Sequence, residues 1–180
     1  MIKALLLSFF FMFVPPAASL PMQQSKPAEN WDAWRFLIGD WVGVGDGSLG
    51  QATGGFSFNL DLQGRVLVRK NHANYPATKD RPAFSHEDLM IVYLESEGKP
   101  VKAIYFDNEG HIINYIVTLS ADGKMVTFLS DAAPSTPRYR FIYNKTTNDK
   151  LAFEFDIAPP GKPDAFFKYV EGAAQRKGAN

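Results

Sequence analysis

Three histidines, His72, His86 and His111, are the side chains of this sequence best suited to proton transfer or metal binding. They are far apart, and no two stand at the i, i+2 or i, i+4 spacing that places two ligands on one ion. Glu87 and Asp88 follow His86 and could add oxygen ligands for a divalent cation. An acidic loop that enters a strand is usually solvated, so we predict no metal site.

A second group of polar residues lies in regions that alternate like strands. His111 shares strand parity with Tyr115, and Arg138 shares it with Arg140, so each pair is expected on one face. If these faces point into a cavity, they supply polar contacts, and His111 could act as an acid or base. Alternatively, His111 lies at a rim and the arginines pair with carboxylates outside. No Gly-x-Ser-x-Gly elbow and no paired-carboxylate motif appears, and we predict no catalytic residue.

The composition excludes several classes of protein. The 180 residues include no cysteine, which rules out disulfides, thiolate metal sites, iron–sulfur clusters and cysteine nucleophiles. Lys and Arg together number 19 and Asp and Glu together number 19, so the formal net charge is zero and nucleic acid is not an expected partner. With 46% hydrophobic residues the chain can build a sizeable core, as one ordinary domain.

Residues 1–19 have the pattern of a secretory signal peptide. A positive start at Lys3 precedes the apolar run 4–14, two prolines and a cluster of small residues that ends at Ser19. The apolar run is shorter than the ~20 residues of a membrane-spanning helix. We therefore predict a secreted or periplasmic protein with no stable membrane insertion after cleavage. Residues 20–29 contain two more prolines and are predicted to be a flexible spacer.

Residues 30–177 are predicted to form one all-β domain. A short helix capped by Asn30 and ended by Gly39 comes first, and apolar and polar residues then alternate to the end of the chain. Glycine- and asparagine-containing turns separate the alternating runs. The predicted strands are residues 41–47, 54–62, 65–73, 87–95, 101–107, 111–119, 124–130, 138–144, 150–158 and 165–176.

Ten short strands in a meander favour a closed up-and-down barrel, because joining the first strand to the last removes both sheet edges. The glycine-rich stretch 45–50 matches a dinucleotide-binding pattern literally. It is followed by a strand where that motif needs a helix N-terminus, so we exclude nucleotide binding there. The longest irregular stretch, residues 74–86, is predicted to border the barrel mouth.

The segment Gly39–Gly45, Gly-x-Trp-x-Gly-x-Gly, resembles the opening of the calycin-like barrels. In particular it is similar to the bacterial family of unknown function DUF1579, a lipocalin- or fatty-acid-binding-protein-like barrel, and more distantly to the nitrobindin-type haem barrels. The resemblance covers residues 31–177. It implies that Gly39 and Trp41 close one end of the barrel, with Arg176 from the last strand over the indole. Nitrobindin-type barrels hold haem through a histidine near the end of the barrel, where this chain has none, and we predict no cofactor.

A barrel of ten strands is wider than the ~8-stranded barrels whose side chains fill the interior. We therefore expect a cavity for a small apolar or amphipathic ligand, unless the 15 phenylalanines fill it. The candidate ligand contacts are His111, Tyr115, Arg140, Phe153 and Phe155. Three functions remain open: a binding protein, a calycin-fold enzyme with His111 as acid or base, and an interaction protein with a filled lumen.

Overall fold

The computed structural model describes residues 31–44, 52–95 and 98–179. The predicted signal peptide (1–19), the predicted spacer (20–29) and the predicted cap Asn30 lie outside these residues. Within the described part of the chain, no helix has the length and apolar character needed to cross a bilayer.

In the described part of the chain ten strands follow one turn of 3-10 helix, Asp32–Trp34. Their ends lie within a few residues of those predicted, except that residues 45–47 of the first predicted strand lie outside the described residues. The strands are β1 Gly39–Val44, β2 Thr53–Asp61, β3 Val66–Tyr75, β4 Phe84–Leu94, β5 Val101–Asp107, β6 Ile112–Leu119, β7 Met125–Ser130, β8 Arg138–Lys145, β9 Lys150–Ala158 and β10 Phe167–Arg176.

The N-terminal helix is shorter than the sequence led us to expect, and its apolar spacing explains why. Trp31, Trp34 and Leu37 recur every third residue, which is the period of a 3-10 helix. Backbone bonds of 2.9 Å from the N–H of Trp34 to the Trp31 carbonyl and from that of Leu37 to the Trp34 carbonyl produce this geometry. All three side chains are buried. An α-helix would turn one of them away from the barrel.

The sheet is a closed antiparallel barrel in which each strand pairs with its neighbours in sequence and β1 pairs with β10. This confirms the predicted all-β, up-and-down architecture. Because the circle is complete, no strand of the barrel is left with an unpaired edge.

One end of the barrel, which we call the floor, is filled by side chains. Trp34 and Leu37 of the N-terminal turn enter it from below and meet inward-facing side chains of the strands. Trp34 lies against Phe128, with ring centroids 6.4 Å apart. The residues buried almost completely here are Leu37, Trp41, Phe58, Leu67, Val92, Val126, Phe128, Tyr143 and Leu151.

The floor is closed by Trp41 and Arg176, which are direct partners in the pairing of β1 with β10. The Arg176 guanidinium lies 4.4 Å from the centre of the Trp41 ring and donates hydrogen bonds to the carbonyls of Ile38 and Phe36. Gly39 adopts φ +127°, and a Cβ there would come within 2.5 Å of Arg176 Nη1. Glycine is therefore needed both for its backbone conformation and for the space that Arg176 occupies.

Arg176→Gln should lower the free energy of unfolding by about 2–4 kcal/mol, because it removes a cation–π contact and two hydrogen bonds from a charged donor. The measurement is urea denaturation followed by tryptophan fluorescence. Lys177→Gln, a change of charge at the next, exposed residue, is the control and should change the midpoint little. Equal midpoints for the two variants would show that Arg176 does not hold the floor closed.

Candidate functional site

The mouth half of the lumen, which we call the cup, is less enclosed than the floor. Its wall includes inward-facing residues that are only half-buried, among them Asn71, Tyr139, Phe153, Phe155 and Val170. Since alternation places these side chains on the same face as the buried floor residues, their exposure marks open space inside the barrel mouth. The cup has an aromatic wall and a polar wall.

The aromatic wall comes from β8, β9 and β10. Tyr139 and Phe155 are stacked, with ring centroids 5.9 Å apart and an interplanar angle of 9°, and Tyr169 meets Phe155 edge-on at 6.3 Å. Phe153 lies across its neighbour Gly172, where an added Cβ would stand 2.6 Å from the ring. Glycine at this position lets the Phe153 ring lie flat against β10, which widens the cup.

Between the floor and the cup lies a buried ion pair. Arg69 on β3 donates through Nη1 to Asp88 on β4 and through Nε to the Tyr143 hydroxyl at 2.6 Å. The guanidinium also lies 5.2 Å from the centre of the Phe141 ring. Burial, the largest single effect, acts to lower the pKa of Arg69, but the Asp88 carboxylate and the tyrosines around it, Tyr143 and Tyr105, together outweigh burial, and the pKa is raised. Asn71 donates to the second Asp88 oxygen at 2.9 Å, so this charge pair is satisfied from within the protein.

His86 extends the polar wall toward the mouth. Its Nδ1 is 2.9 Å from Glu109, and its Nε2 is 3.3 Å from Asp88 and 3.2 Å from the Tyr105 hydroxyl. Hydrogen bonding to Asp88 raises the pKa of His86 to about 9, with Glu109 adding to the effect against the opposing effect of burial. The ring is therefore an imidazolium at neutral pH, with a carboxylate at each nitrogen. It is a charged clamp rather than a free base.

His111 lies at the rim and pairs with Asp107, whose carboxylate is nearly inaccessible. His111 Nδ1 is 2.8 Å from Asp107 Oδ2, and the backbone N–H groups of Glu109 and His111 both donate to Oδ1. Burial acts to raise the pKa of Asp107, but these hydrogen bonds with His111 and Glu109 lower it below its usual value. Among the described residues, His111 Nε2 has no partner.

Two phenol groups on the inner face, that of Tyr139 in the cup and that of the buried Tyr115 beneath it, are available for hydrogen bonding. Neither the Tyr115 nor the Tyr139 hydroxyl has a hydrogen-bond partner within the described residues. The one fully buried side-chain polar atom without a partner there is Asp156 Oδ1, so both hydroxyls keep some accessible surface. Burial raises the pKa of Tyr115, which keeps that phenol protonated and able to donate.

The structure places the predicted ligand contacts in different parts of the barrel. Phe153 and Phe155 lie in the cup, Tyr115 is buried beneath it against the floor residue Phe128, and His111 lies at the rim. Arg140 does not reach the cup: it pairs with Asp156 on the outer face, with 2.7 Å between its Nη2 and the Asp156 carboxylate. In the alternation of β8 the aromatic residues face inward, so the arginines face outward, which is the alternative weighed above.

Five residues of the cup walls are not among the predicted ligand contacts: Arg69, Asn71, His86 and Asp88 of the polar wall and Tyr139 of the aromatic wall. His86 and Asp88 are considered above only as metal ligands. Strand parity carried a usable signal, because Arg69 alternates in phase with Leu67 and Asp88 with Met90, all of which are buried. Nothing local in the sequence shows that Tyr143, 74 residues after Arg69, is its partner.

A groove of about 980 Å³ lies outside the barrel and follows the outer faces of β1 to β5, where it is lined by Lys70, His72, Glu87, Leu89 and Phe106. Lys70, His72 and Glu87 are exposed to solvent. A specific small-molecule site combines an apolar enclosure with a few fixed polar groups, and the cup meets this description better. His72, which faces outward here, is excluded from the lumen.

No protein-family model matches the chain, and no curated protein sequence matches it.

The buried Arg140–Asp156 pair predicts that a substitution outside the cup will lower the stability of the protein substantially. Arg140→Gln should cost about 3 kcal/mol of stability, because the Asp156 carboxylate, 1% exposed, would stay buried without its cation. Chemical denaturation measures the change. Arg35→Gln breaks an ion pair whose partners are both exposed and should cost under about 1 kcal/mol. If the two variants are equally stable, the buried pair does not have this role.

The His86 clamp predicts a pH-dependent stability. Its pKa is about 9 in the folded protein against 6.5 for an unperturbed histidine, so its stabilisation is fully present below the lower value and is lost as the pH rises through the higher one. The full contribution is up to about 3 kcal/mol. Denaturation curves from about pH 6 to pH 10 measure this effect. The free energy of unfolding should fall with rising pH in the wild type and in His72→Gln, the exposed-site control, but this fall should be absent in His86→Gln. A wild-type curve as flat as that of His86→Gln would contradict the clamp.

Proposed function

We propose that this protein binds a small amphipathic molecule in the cup. The observation that supports this is the division of the lumen: the floor residues are buried, whereas Tyr139, Phe153, Phe155 and Val170 face the same interior and remain half-exposed. Covering apolar surface of this kind contributes about 25 cal/mol per Å². A ligand with an apolar end gains that energy by replacing water in the cup.

The polar groups of the cup are better suited to binding a ligand than to catalysing a reaction. Arg69, Asp88 and His86 already satisfy one another, so they form a fixed wall whose charges are not free for a ligand. The Tyr139 hydroxyl in the cup, and the Tyr115 hydroxyl at its base, are left to orient a polar atom of the ligand. Such a mixture, a large apolar surface with a few placed donors, is typical of ligand sites.

A second candidate is a calycin-fold enzyme that acts on a similar ligand. The observation that favours it is the His111–Asp107 pair, a ring nitrogen 2.8 Å from a buried carboxylate, which is the geometry of an oriented base. In the described chain no serine or threonine hydroxyl bonds to His111, so the chemistry would be proton transfer. Chemical change of a molecule recovered from the cup, abolished in His111→Asn, would establish this candidate.

The export of the protein is proposed on the N-terminal pattern alone. The positively charged start, apolar run and small-residue cluster of residues 1–19 support secretion or periplasmic location. On the motif Gly39-x-Trp41 and the closing Arg176 we also propose kinship with the DUF1579 type of calycin-like barrel. Expression with its own N-terminus and mass measurement of the exported chain would test the first point.

Binding in the cup can be tested with phenylnaphthylamine, a neutral aromatic probe that fluoresces in apolar sites. Val170→Trp places an indole in the cup and should weaken binding about tenfold or more, because the ring takes the space of the probe. Ile116→Trp, on the outer face of β6 where Ile116 is 37% exposed, is the matched control and should leave the affinity within about twofold of wild type.

Native mass spectrometry of the protein purified from its export compartment provides the second readout. We expect an added mass in the wild type and in Ile116→Trp that is absent from Val170→Trp. Equal probe affinities for the two tryptophan variants, together with no bound mass in the wild type, would overturn the proposal in favour of an interaction protein.

A further inference from the structure

The hairpin of β3 and β4 extends beyond the barrel and carries a stacked cluster at the mouth. We call residues 75–84 the arm. Tyr75 and Phe84 are opposite each other in the pairing of the two strands, and their rings are stacked at 4.4 Å with an interplanar angle of 4°. By strand parity both rings are on the inward face, in line with Asn71 and His86. The arm therefore continues the inner wall of the cup past the rim.

The stacked rings of the arm share the inner face of the sheet with the aromatic wall of the cup. Tyr75 is half-buried, and burial raises its pKa, with Tyr169 adding to this effect and Arg81 opposing it. Tyr169 contacts Phe155 within the cup. Aromatic side chains are therefore present both in the arm at the mouth and inside the cup.

Arg81 is held on this cluster by rings rather than by a carboxylate. Its guanidinium lies 4.2 Å from the centre of the Phe84 ring and 5.8 Å from that of Tyr75, and in the part of the chain that the structure describes it has no ion pair or hydrogen bond from its side chain. A guanidinium on a ring still has its N–H donors free in its own plane. It is positioned by Phe84 and open to an acidic group.

The other arginines near the mouth, and His86 within the cup, are already paired. Arg69 pairs with Asp88 and His86 with Asp88 and Glu109, while on the outer face Arg138, Arg140 and Lys168 pair with Asp164, Asp156 and Glu171. Among the described residues, the cations of the polar wall are therefore bonded to its own carboxylates and are not open to a ligand. The unused donors of Arg81 favour an acidic group at the mouth.

We propose that the molecule bound in the cup is an amphipathic anion, whose apolar end lies against the aromatic wall and whose acidic group stays at the mouth on Arg81. This inference rests on the proposed function. It specifies the chemical class of the ligand and the end that enters the cup, which is the apolar one. A carboxylate or a phosphate ester could each accept the paired N–H donors of Arg81.

Two fluorescent probes that share a ring system but differ in charge test the contribution of the acidic group apart from that of the apolar rings. Anilinonaphthalene sulfonate carries an anion, and phenylnaphthylamine is its neutral counterpart. We expect Arg81→Gln to weaken the sulfonate about three- to tenfold while it changes the neutral probe less than about twofold. The difference should shrink at high salt, because an exposed ion pair is screened.

Lys79→Gln is the matched control for this test. Lys79 belongs to the same exposed loop and has the same charge, but the structure places no aromatic ring beneath it and, among the described residues, gives it no ion pair. It should leave both affinities within about twofold of wild type. Displacement of the sulfonate probe by dodecanoate and by dodecyl phosphate then shows which acid Arg81 prefers, and thermal melting checks that each variant is folded.

The outcomes separate this proposal from the proposed function. If neither probe binds the wild type, both proposals are overturned. If the neutral probe binds and is excluded by Val170→Trp, but Arg81→Gln leaves the sulfonate unaffected or weakens it no more than Lys79→Gln does, the cup remains a binding site and the anionic ligand class is wrong. A selective loss of the sulfonate in Arg81→Gln supports the inference.

Discussion

The structure depends on the pairing of β1 with β10, because this contact turns a ten-stranded meander into a closed barrel. Trp41 and Arg176 are partners in that pairing, and the guanidinium over the indole also bonds the carbonyls that lead into β1. One residue therefore joins the first strand, the last strand and the N-terminal turn. With the circle closed, side chains of alternate parity must share one interior, and the floor and the cup follow from how they fill it.

The interior is filled unevenly because its large side chains gather at one end. The indoles and leucine of the N-terminal turn enter from below and meet Phe58, Phe128 and Tyr143, so the floor has no room for a ligand. Above it, the Arg69–Asp88 pair replaces apolar packing with a polar layer that is bonded on each side. A buried charge pair is tolerated where its hydrogen bonds are complete. The space beyond that layer is the cup.

The charged groups of the polar wall near the mouth are also paired with one another. His86 is an imidazolium between two carboxylates, and Asp107 is held ionised by hydrogen bonds from His111 and Glu109. These groups give the polar wall a fixed shape and little freedom to exchange protons. Arg81 differs from them, since aromatic rings position it and leave its donors unused. Paired charges inside the cup, together with a guanidinium at the entrance that aromatic rings hold in place, suit the binding of an acidic molecule in one orientation.

The sequence by itself determined the ten strands, their order and the closed barrel, because alternation and turn residues are local signals that survive in any tertiary context. It also placed Phe153 and Phe155 on a common face. It does not determine which face of β8 is interior, so the expectation that Arg140 faces the cup is wrong; Tyr139 between the arginines and Phe141 after them occupy the interior face. The partnership of Arg69 with Tyr143, the clamp on His86 and the arm carrying Arg81 were decided by tertiary structure. These contacts join strands distant in the chain, and their geometry exists only once the barrel has closed and set which side chains share the interior.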